Sequence, residues 1–299
     1  MHYDLVIFGN YTKDTIVSAA GTRQVDGGGF NYGAHVAAMM GLKTAAVTRL
    51  ARADDHVVAA LRRLGLDAFP TYTPCSTHMR LEYPSANPDE RVLTVTQTAG
   101  SFTPEQFSDL EATTYVANAS TRGEVGLDVI LALKRKGGRV VADAQGFVRT
   151  IGPDGTLQFD SWPGKEGILP HVDILKTDNV EARALTGLTD LRAAARIIAG
   201  WGPQEIVLTH RDGIIVLANG EFHEAPWRHE RLVGRSGRGD TCIASYVTKR
   251  LTASPAEATV WAAAVTSLKM EAEGPIKKVV AEVEEMIRRK YSAPAGAAR

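Results

Sequence analysis

The 299-residue sequence lacks a charge bias, a long apolar run and a disulfide framework. Its 34 basic residues balance 34 acidic ones, so the charge gives no indication of a nucleic-acid partner. No apolar stretch approaches the roughly 18 residues that a membrane-spanning helix needs. The two cysteines, Cys75 and Cys242, lie in unrelated contexts, which favours reduced thiols over a disulfide. We therefore expect a cytoplasmic protein with neither a membrane nor a nucleic acid as its partner.

The two ends of the sequence predict different structures. The N-terminal segment MHYDLVIFGN has one short apolar run with no cationic region before it, which predicts a first β-strand and not a signal peptide. Small residues and a proline fill residues 292–299, which predicts a disordered tail. Apolar residues make up 44% of the chain, enough for one large α/β domain or two small ones.

Short apolar runs alternate with helical patterns along most of the chain. Candidate strands include DLVIF at 4–8, TAAVTRL at 44–50, RVVAD at 139–143 and EIVLT at 205–209. Strands that alternate with helices favour a mostly parallel central sheet flanked by helices on both faces. Because no linker and no internal repeat interrupts the pattern, we expect a single domain over residues 1–299.

Two stretches, residues 10–26 and 71–98, break this alternation. Both carry strand patterns with no helix between them, and STHMRLEY and RVLTVTQT around PSANPDE predict a hairpin. These segments are expected to leave the parallel core and to form a small β-sheet lid over a cleft. Open strand edges invite pairing, so a homodimer through the lid is a further expectation.

Candidate ligand-binding residues follow the first predicted strand. In open α/β sheets, ligands bind at the carboxyl ends of the strands. Asp14 lies five residues past Gly9, where a short carboxylate can accept hydrogen bonds from two vicinal hydroxyls; the alternative is a turn residue. The segment DGGGFNY at 26–32 opens a helix with three glycines, which let a ligand approach the backbone, and Asn31 and Tyr32 add polar groups. Its alternative is a flexible hinge before a core helix.

An acidic pair occurs in KTDNVEARALTG at 176–187. Asp178 and Glu181 are three residues apart at a predicted helix start, so both carboxylates lie on one face. Such a pair could hold Mg²⁺ through water molecules. The alternative is an acidic first turn that interacts favourably with the helix dipole.

The segment GRSGRGDTCIASY at 234–246 has three alternative interpretations. Gly237, Gly239 and Asp240 immediately precede an apolar helical pattern. Asp240 could be an N-cap in a plain turn, or Arg238-Gly239-Asp240 could be an adhesion tripeptide, which a strand–helix junction disfavours. The third interpretation is a cradle of free amides that binds phosphate at a helix N-terminus, with Asp240 as a general base. No Gly-Lys-Ser/Thr is present, so this is not a Walker A loop.

Taken together, these motifs resemble those of the ribokinase/PfkB carbohydrate kinase family. SGRGDTCIASY is similar to the family signature T-G-A-G-D-x-F, and GGGFNYGAHVAAMMG resembles its N-terminal Gly-Gly signature. DNVEARALTG resembles the family's Asn-x-x-Glu segment, and LTHRDG its nucleotide-side strand and turn. The order of the motifs agrees over residues 4–275. ADAQGFVR at 142–149 and Tyr32 are most similar to the branch that contains myo-inositol kinases.

The resemblance implies a ribokinase-like α/β fold and an ATP-dependent kinase that transfers the γ-phosphate to a hydroxyl of a small sugar or cyclitol. It implies that Asp240 is the base and that the amides of Gly237, Arg238 and Gly239 form the anion hole, with Arg238 in place of the usual alanine. The implied acceptor-binding residues are Asp14, Gly28, Asn31, Tyr32, Gln145 and Arg149.

For the cofactors, the resemblance implies that ATP contacts Thr209, Gly213, Gly237 and Gly239, and that Asp178 and Glu181 organise Mg²⁺ through water. Asp178 stands where the family usually has asparagine. Two alternatives stay open. A nucleoside kinase of the same fold would use lid tyrosines for stacking, and a non-catalytic ligand-binding protein would have no need of the Asp240 base.

Overall fold

The computed structural model describes residues 2–19, 21–85 and 92–291. The strands are β1 (His2–Phe8), β2 (Thr12–Ser18), β3 (Gly21–Asp26), β4 (Thr44–Ala51), β5 (Asp67–Thr73), β6 (Thr77–Glu82), β7 (Val92–Gln97), β8 (Glu111–Ala117), β9 (Arg139–Asp143), β10 (Arg149–Ile151), β11 (Leu157–Phe159), β12 (Ile174–Asp178), β13 (Glu205–Thr209), β14 (Gly213–Ala218) and β15 (Glu221–Pro226). The helices are α1 (Gly29–Met39), α2 (His56–Arg63), α3 (Leu127–Arg135), α4 (Gln145–Val148), α5 (Lys165–Ile168), α6 (Asn179–Thr186), α7 (Leu191–Ala199), α8 (Arg238–Arg250), α9 (Pro255–Met270) and α10 (Val280–Lys290). The predicted tail and most of the predicted hairpin turn PSANPDE lie outside the described residues.

Nine strands form the large sheet, in the order β15-β14-β13-β12-β9-β8-β1-β4-β5. The seven strands from β13 to β5 pair in parallel. The last two, β14 and β15, are antiparallel additions at one edge. The predicted mostly parallel α/β sheet is confirmed, and the carboxyl ends of its central strands meet along one edge.

Helices cover both faces of the large sheet, which explains why residues 5–8 of β1 are all apolar. Leu5 and Ile7 pack on one face with side chains of α1, α2, α8 and α9. Val6 and Phe8 pack on the other face with side chains of α3, α6 and α7. Because successive side chains of a strand point to opposite faces, a strand buried on both faces has few polar positions.

A second, small sheet has the order β3-β2-β6-β7 and comes from the two stretches that break the alternation of strands and helices. β2 pairs in parallel with β6, and the two outer pairs are antiparallel. The predicted lid stretch starts too early, because Thr71–Thr73 belong to β5 of the large sheet, where they pair with Arg49–Ala51. β3 is an exposed edge strand, and the homodimer through this sheet stays a prediction.

The helices begin and end at residues whose chemistry suits those positions. Asp190 caps α7 by accepting hydrogen bonds from the N–H groups of Arg192 and Ala193, at 2.9 and 3.0 Å. α6 ends at Gly187, which has a left-handed φ of 77°. None of the helices in the described part of the chain is long and apolar enough to cross a membrane.

Candidate active site

A cleft of about 520 Å³ opens between the carboxyl edge of the large sheet and the small sheet. Eleven of the residues singled out in the sequence line it: Asp14, Gly28, Tyr32, Gln145, Arg149, Asp178, Thr209, Gly237, Arg238, Gly239 and Asp240. These residues come from β2, β10, β12 and β13, from α4, and from the starts of α1 and α8. Segments far apart in the sequence therefore converge on one site.

Three predicted site residues do not line the cleft. Asn31 is buried within α1, where its carbonyl oxygen lies 2.8 Å from Nδ1 of His35. Gly213 begins β14 and pairs with Pro226 of β15, so its position is set by the sheet edge. Glu181 is completely buried beneath the cleft. In these three cases, the position of the residue in its helix or strand places it away from the cleft surface.

The glycine-rich segment ends directly at α8. Gly237 occupies the N-cap position with a left-handed φ of 77°, and a Cβ there would collide with the ring of Tyr32. Both the positive φ and the close approach require glycine. Asp240 is the third residue of α8 and not its N-cap, which rules out the capping interpretation. Its Oδ1 accepts a hydrogen bond of 3.2 Å from Nε2 of Gln145, and its side chain lines the cleft.

The wall on the side of the small sheet combines a carboxylate with a buried phenol. Asp14 lies in the middle of β2, beside Met79 of β6. The hydroxyl of Tyr32 is buried and has no hydrogen-bond partner among the described residues. Burial, with Asp14 and Asp240 nearby, raises the pKa of Tyr32 above its ordinary value. The phenol therefore stays protonated and can donate a hydrogen bond to a ligand.

A buried ionic network lies beneath the opposite wall. Nζ of Lys176 lies 3.2 Å from the carboxylate of Asp143 and 3.5 Å from Oε2 of Glu181. Nη2 of Arg149 lies 2.9 Å from Oε1 of the same glutamate. Burial alone would lower the pKa of Lys176, but the two carboxylates raise it overall. Sequence reasoning missed Lys176, although a lysine in a strand buried on both faces is a signal for a paired charge.

The acidic pair at the start of α6 forms a capping box. Oδ1 of Asp178 accepts hydrogen bonds from the N–H groups of Val180 and Glu181, both at 2.9 Å. Oε2 of Glu181 accepts one of 2.9 Å from the N–H of Asp178. The sequence D-x-x-E before a helix is the usual signal for this arrangement. The alternative interpretation, an acidic first turn, therefore describes the local structure.

The same contacts limit how this pair could hold Mg²⁺. Both carboxylate oxygens of Glu181 already face cations, and its side chain does not line the cleft. Within residues 2–19, 21–85 and 92–291, no cluster of three or more His, Cys, Asp or Glu side chains could hold a metal ion. These residues fit only an ion that keeps most of its water, with Asp178 as its nearest protein group.

Five cationic side chains line the cleft: Arg149, Lys176, Arg211, Arg235 and Arg238. Three carboxylates also line it: Asp14, Asp178 and Asp240. Arg211 and Arg235 were not identified from the sequence, although both stand beside glycine-containing turns in LTHRDG and GRSGRGD. A cleft with an excess of positive charge concentrates polyanions.

Comparison with known proteins identifies the family of this chain. The model of the pfkB family carbohydrate kinases matches residues 4–281. The chain belongs to this family. A pyrophosphate-dependent kinase of the ribokinase family, in complex with sulfate, is 35% identical with a TM-score of 0.87, over 94% of this chain and 99% of that one.

Two further relatives add detail to this pfkB-family match. One is a pyrophosphate-dependent myo-inositol-1 kinase that was converted into a myo-inositol-3 kinase by replacing an asparagine and a serine with leucine. It is 34% identical with a TM-score of 0.86, over 96% of this chain and 99% of that one. The other is the cytidine kinase of Thermococcus kodakarensis, 26% identical over 253 residues, which are 82% of this chain and 87% of the relative.

These matches confirm the predicted family and the ribokinase-like fold. As a pfkB-family kinase, the protein is a phosphotransferase for a small sugar, cyclitol or nucleoside. The matches do not confirm the predicted use of ATP, because the 34–35% identical structures are of pyrophosphate-dependent kinases.

Proposed function

We propose that this pfkB-family protein is a pyrophosphate-dependent kinase that phosphorylates a hydroxyl of myo-inositol or a closely related cyclitol. The observation that carries the donor assignment is the group of cationic side chains around the start of α8. Similarity to the pyrophosphate-dependent kinases described above supports the same assignment.

Pyrophosphate must be bound through its phosphate oxygens alone, because it has neither base nor ribose. Arginine guanidinium groups can bind such oxygens with two parallel hydrogen bonds. Arg211, Arg235 and Arg238 supply three guanidinium groups on the cleft wall, and free amides at the start of α8 add donors aligned with the helix dipole.

ATP, the donor predicted from the sequence, would in addition need an apolar slot for adenine. The aromatic residues among the described cleft-lining residues are Tyr32 and Phe159. Neither belongs to the segments that carry the three arginines. This composition favours pyrophosphate over ATP.

A cyclitol suits the small-sheet wall together with the side chains beside Asp240. Its hydroxyls match Asp14, Tyr32 and Gln145, which can accept or donate hydrogen bonds. Its C–H face matches an aliphatic patch on the small sheet, formed by Met79, Leu81 and Leu93. A nucleoside would need an aromatic platform, whereas the lining residues contributed by the described strands of the small sheet are aliphatic or polar.

Phosphoryl transfer needs an in-line acceptor and charge neutralisation more than covalent chemistry. In the proposed reaction the acceptor oxygen attacks one phosphorus of pyrophosphate, the bond from that phosphorus to the bridging oxygen breaks, and orthophosphate leaves. Asp240 accepts the proton of the attacking hydroxyl, and Gln145 orients its carboxylate. The amides of Gly237, Gly239 and Asp240 and the neighbouring arginines bind the charge that develops on the phosphate oxygens. The N–H of Arg238, which the sequence also assigned to the anion hole, donates instead to the carbonyl oxygen of Arg235 at 3.1 Å.

A divalent ion would be held near Asp178 through water and through donor oxygens, and when bound it would neutralise part of the phosphate charge. The small sheet would exclude water that could otherwise hydrolyse the donor.

The test is a matrix of donors against acceptors. Pyrophosphate and ATP are each combined with myo-inositol, ribose and cytidine, and products are followed by ³¹P NMR of the phosphorylated acceptor. We expect turnover with pyrophosphate and myo-inositol. Turnover with ATP alone would overturn the donor assignment, and turnover with cytidine or ribose alone the acceptor assignment. No turnover, together with ligand-induced thermal shifts, would favour a non-catalytic binding protein.

A further inference from the structure

Lys269, in the last turn of α9, is buried directly behind the glycine-rich segment. Its side chain is among the largest fully buried ones of the protein, with 2% of the residue exposed. Its Nζ donates a hydrogen bond of 3.0 Å to the carbonyl oxygen of Gly234 and another to that of Ser236. The same ammonium lies 5.4 Å from the centre of the Tyr32 ring. The described hydrogen bonds of this buried cation therefore go to backbone carbonyls of one segment.

Burial of an ammonium group costs free energy unless the group is paired or hydrogen-bonded. A lysine at this position is therefore expected to have a structural or functional role that offsets the cost. In a trans peptide unit the C=O and the following N–H point in opposite directions. When the carbonyl of Ser236 faces Lys269, the N–H of Gly237 must point away from it. The carbonyl of Gly234 likewise determines the direction of the N–H of Arg235. Lys269 thus sets the orientation of two amides in the segment that lines the cleft.

Backbone hydrogen bonds also hold the segment: the N–H groups of Val233 and Gly234 donate to the carbonyl oxygen of Met270, and that of Arg238 donates to Arg235, but none of them uses the carbonyls of Gly234 and Ser236. Residues 233–236 belong to neither a helix nor a strand, and Gly237 has the left-handed φ that favours glycine. Gly234 packs closely against the backbone of Ala272 and Glu273, just beyond α9. Without the ammonium, the carbonyls of Gly234 and Ser236 would lose their charged donor, and the orientation of their peptide units would be less fixed.

We propose that Lys269 is a positioning residue for donor binding, whose ammonium acts as a built-in cation and holds the Arg235 and Gly237 peptide groups in the orientation that receives a phosphate. The proposal rests on the proposed function in that the 234–240 segment binds the phosphate donor. Lys269 itself acts through the backbone and does not line the cleft.

The charge of Lys269 is expected to change with pH near 8. Burial lowers its pKa to about 8, while Glu273 after α9 and Asp240 on α8 oppose this shift and Arg238 on α8 reinforces it. The Tyr32 ring faces it from α1. At neutral pH the ammonium form predominates, and above about pH 8 the neutral amine, a weaker hydrogen-bond donor, replaces it. Donor affinity should therefore fall as the pH rises through about 8.

The main experiment compares Lys269→Met with wild type, using pyrophosphate and myo-inositol. We expect kcat/KM for pyrophosphate to fall about 10- to 100-fold, the scale of losing charged hydrogen bonds, with little change in KM for myo-inositol. Added ammonium or methylammonium chloride should restore part of the loss in a second variant, Lys269→Ala, whose short side chain leaves space for the cation, with no gain in wild type. Lys249→Met, at the other end of α8 and stacked on Trp261, is the matched control and should behave as wild type.

Two readouts keep the proposal testable if the methionine variant folds poorly or if pyrophosphate is not the donor. Hydrogen exchange of the amides of residues 234–240, which needs no turnover, should be faster in Lys269→Gln, which removes the cation, than in wild type and slower again when inorganic phosphate is added. In wild type, the affinity for inorganic phosphate should fall between about pH 7 and 9. Unchanged exchange in the variant, no rescue by ammonium, or a flat pH profile would each overturn the role of Lys269. A failed donor and acceptor matrix with normal exchange behaviour would overturn only the proposed reaction.

Discussion

The two walls of the cleft differ in charge and in the part of the fold that supplies them. The wall on the small sheet carries one carboxylate, Asp14, beside the aliphatic side chains of Met79, Leu81 and Leu93. The opposite wall carries Lys176 of β12, the arginines that follow β9 and β13, and the arginines of the glycine-rich segment. A neutral, polyhydroxylated ring suits the first wall, here called the acceptor wall. A phosphate anion suits the second, here called the donor wall. The division indicates that acceptor and donor can be altered separately by substitution.

The largest expected effect is at the boundary between the walls, at Asp240. Asp240→Asn removes the base but preserves the volume and the contact with Gln145, so folding and pyrophosphate binding should stay near normal. We expect kcat to fall by about 10²–10⁴, the usual range for loss of a general base. Steady-state kinetics and a thermal melt of the same preparation check this.

Asp212→Asn, in the exposed turn before β14, is the control for Asp240→Asn and should keep wild-type kinetics. A folded Asp240→Asn protein that retained most of its kcat would contradict the assignment of Asp240 as the base.

The next largest expected effect tests whether the acceptor can be affected without changing the binding of the donor. Asp14→Ala should lower kcat/KM for the acceptor by about 30- to 1,000-fold, the cost of losing charged hydrogen bonds to hydroxyls. KM for pyrophosphate should change little. Glu82→Gln, on neighbouring β6 and paired with Arg80 at the surface, is the control. Loss of donor affinity with unchanged acceptor affinity would mean that the two walls are assigned the wrong way round.

The converse test concerns the arginines of the donor wall. Arg235→Ala and Arg238→Ala should each raise KM for pyrophosphate about 10-fold, the scale of one hydrogen bond to a charged group, without abolishing activity. KM for myo-inositol should be almost unchanged. Arg231→Ala, exposed and outside the cleft, is the control. Activity of Arg238→Ala equal to that of wild type would show that this side chain makes no contact with the donor.

The sequence predicted most of the residues that follow a strand or open a helix, because their signals are local. Asp14 and Asp240 were identified from their places beside a strand and a glycine-rich turn, and both line the cleft. Asp178 and Glu181 also gave a local signal, but one sequence pattern served both a capping box and a metal site. Only the contacts of Glu181 with Arg149 and Lys176 distinguish the two.

Residues whose partners are distant in the sequence could not be identified in this way. Lys269 contacts carbonyls more than thirty positions before it, and Lys176 pairs with Asp143 from another strand. The parallel pairing of β2 with β6 joins two segments about sixty residues apart. The residue pattern within β2 does not specify that β6 is its neighbour. The set of residues on this cleft wall could therefore be identified only from the structure.

Substitutions in the aliphatic patch should have the smallest effect on rate. They should instead change which hydroxyl of the acceptor is phosphorylated. Leu81 and Leu93 lie directly opposite each other in the β6–β7 pair, and both line the cleft. If the acceptor ring packs on these two side chains, their size helps to set which hydroxyl faces Asp240. We therefore expect Leu81→Asn combined with Leu93→Ser to change the ratio of the phosphorylated products.

The physical reason is that a few methylene groups change the relative energy of two ring orientations by about 1–3 kcal/mol, enough for a 10- to 200-fold change in preference. The chemical steps at Asp240 are unaffected, so kcat/KM should stay within about tenfold of wild type. Positions 1 and 3 of myo-inositol are mirror-related, so the products must be separated by chiral chromatography. Val92→Ser, exposed on the same strand, should leave the product ratio unchanged. An unchanged ratio in the double variant would show that the small sheet covers the acceptor without selecting its orientation.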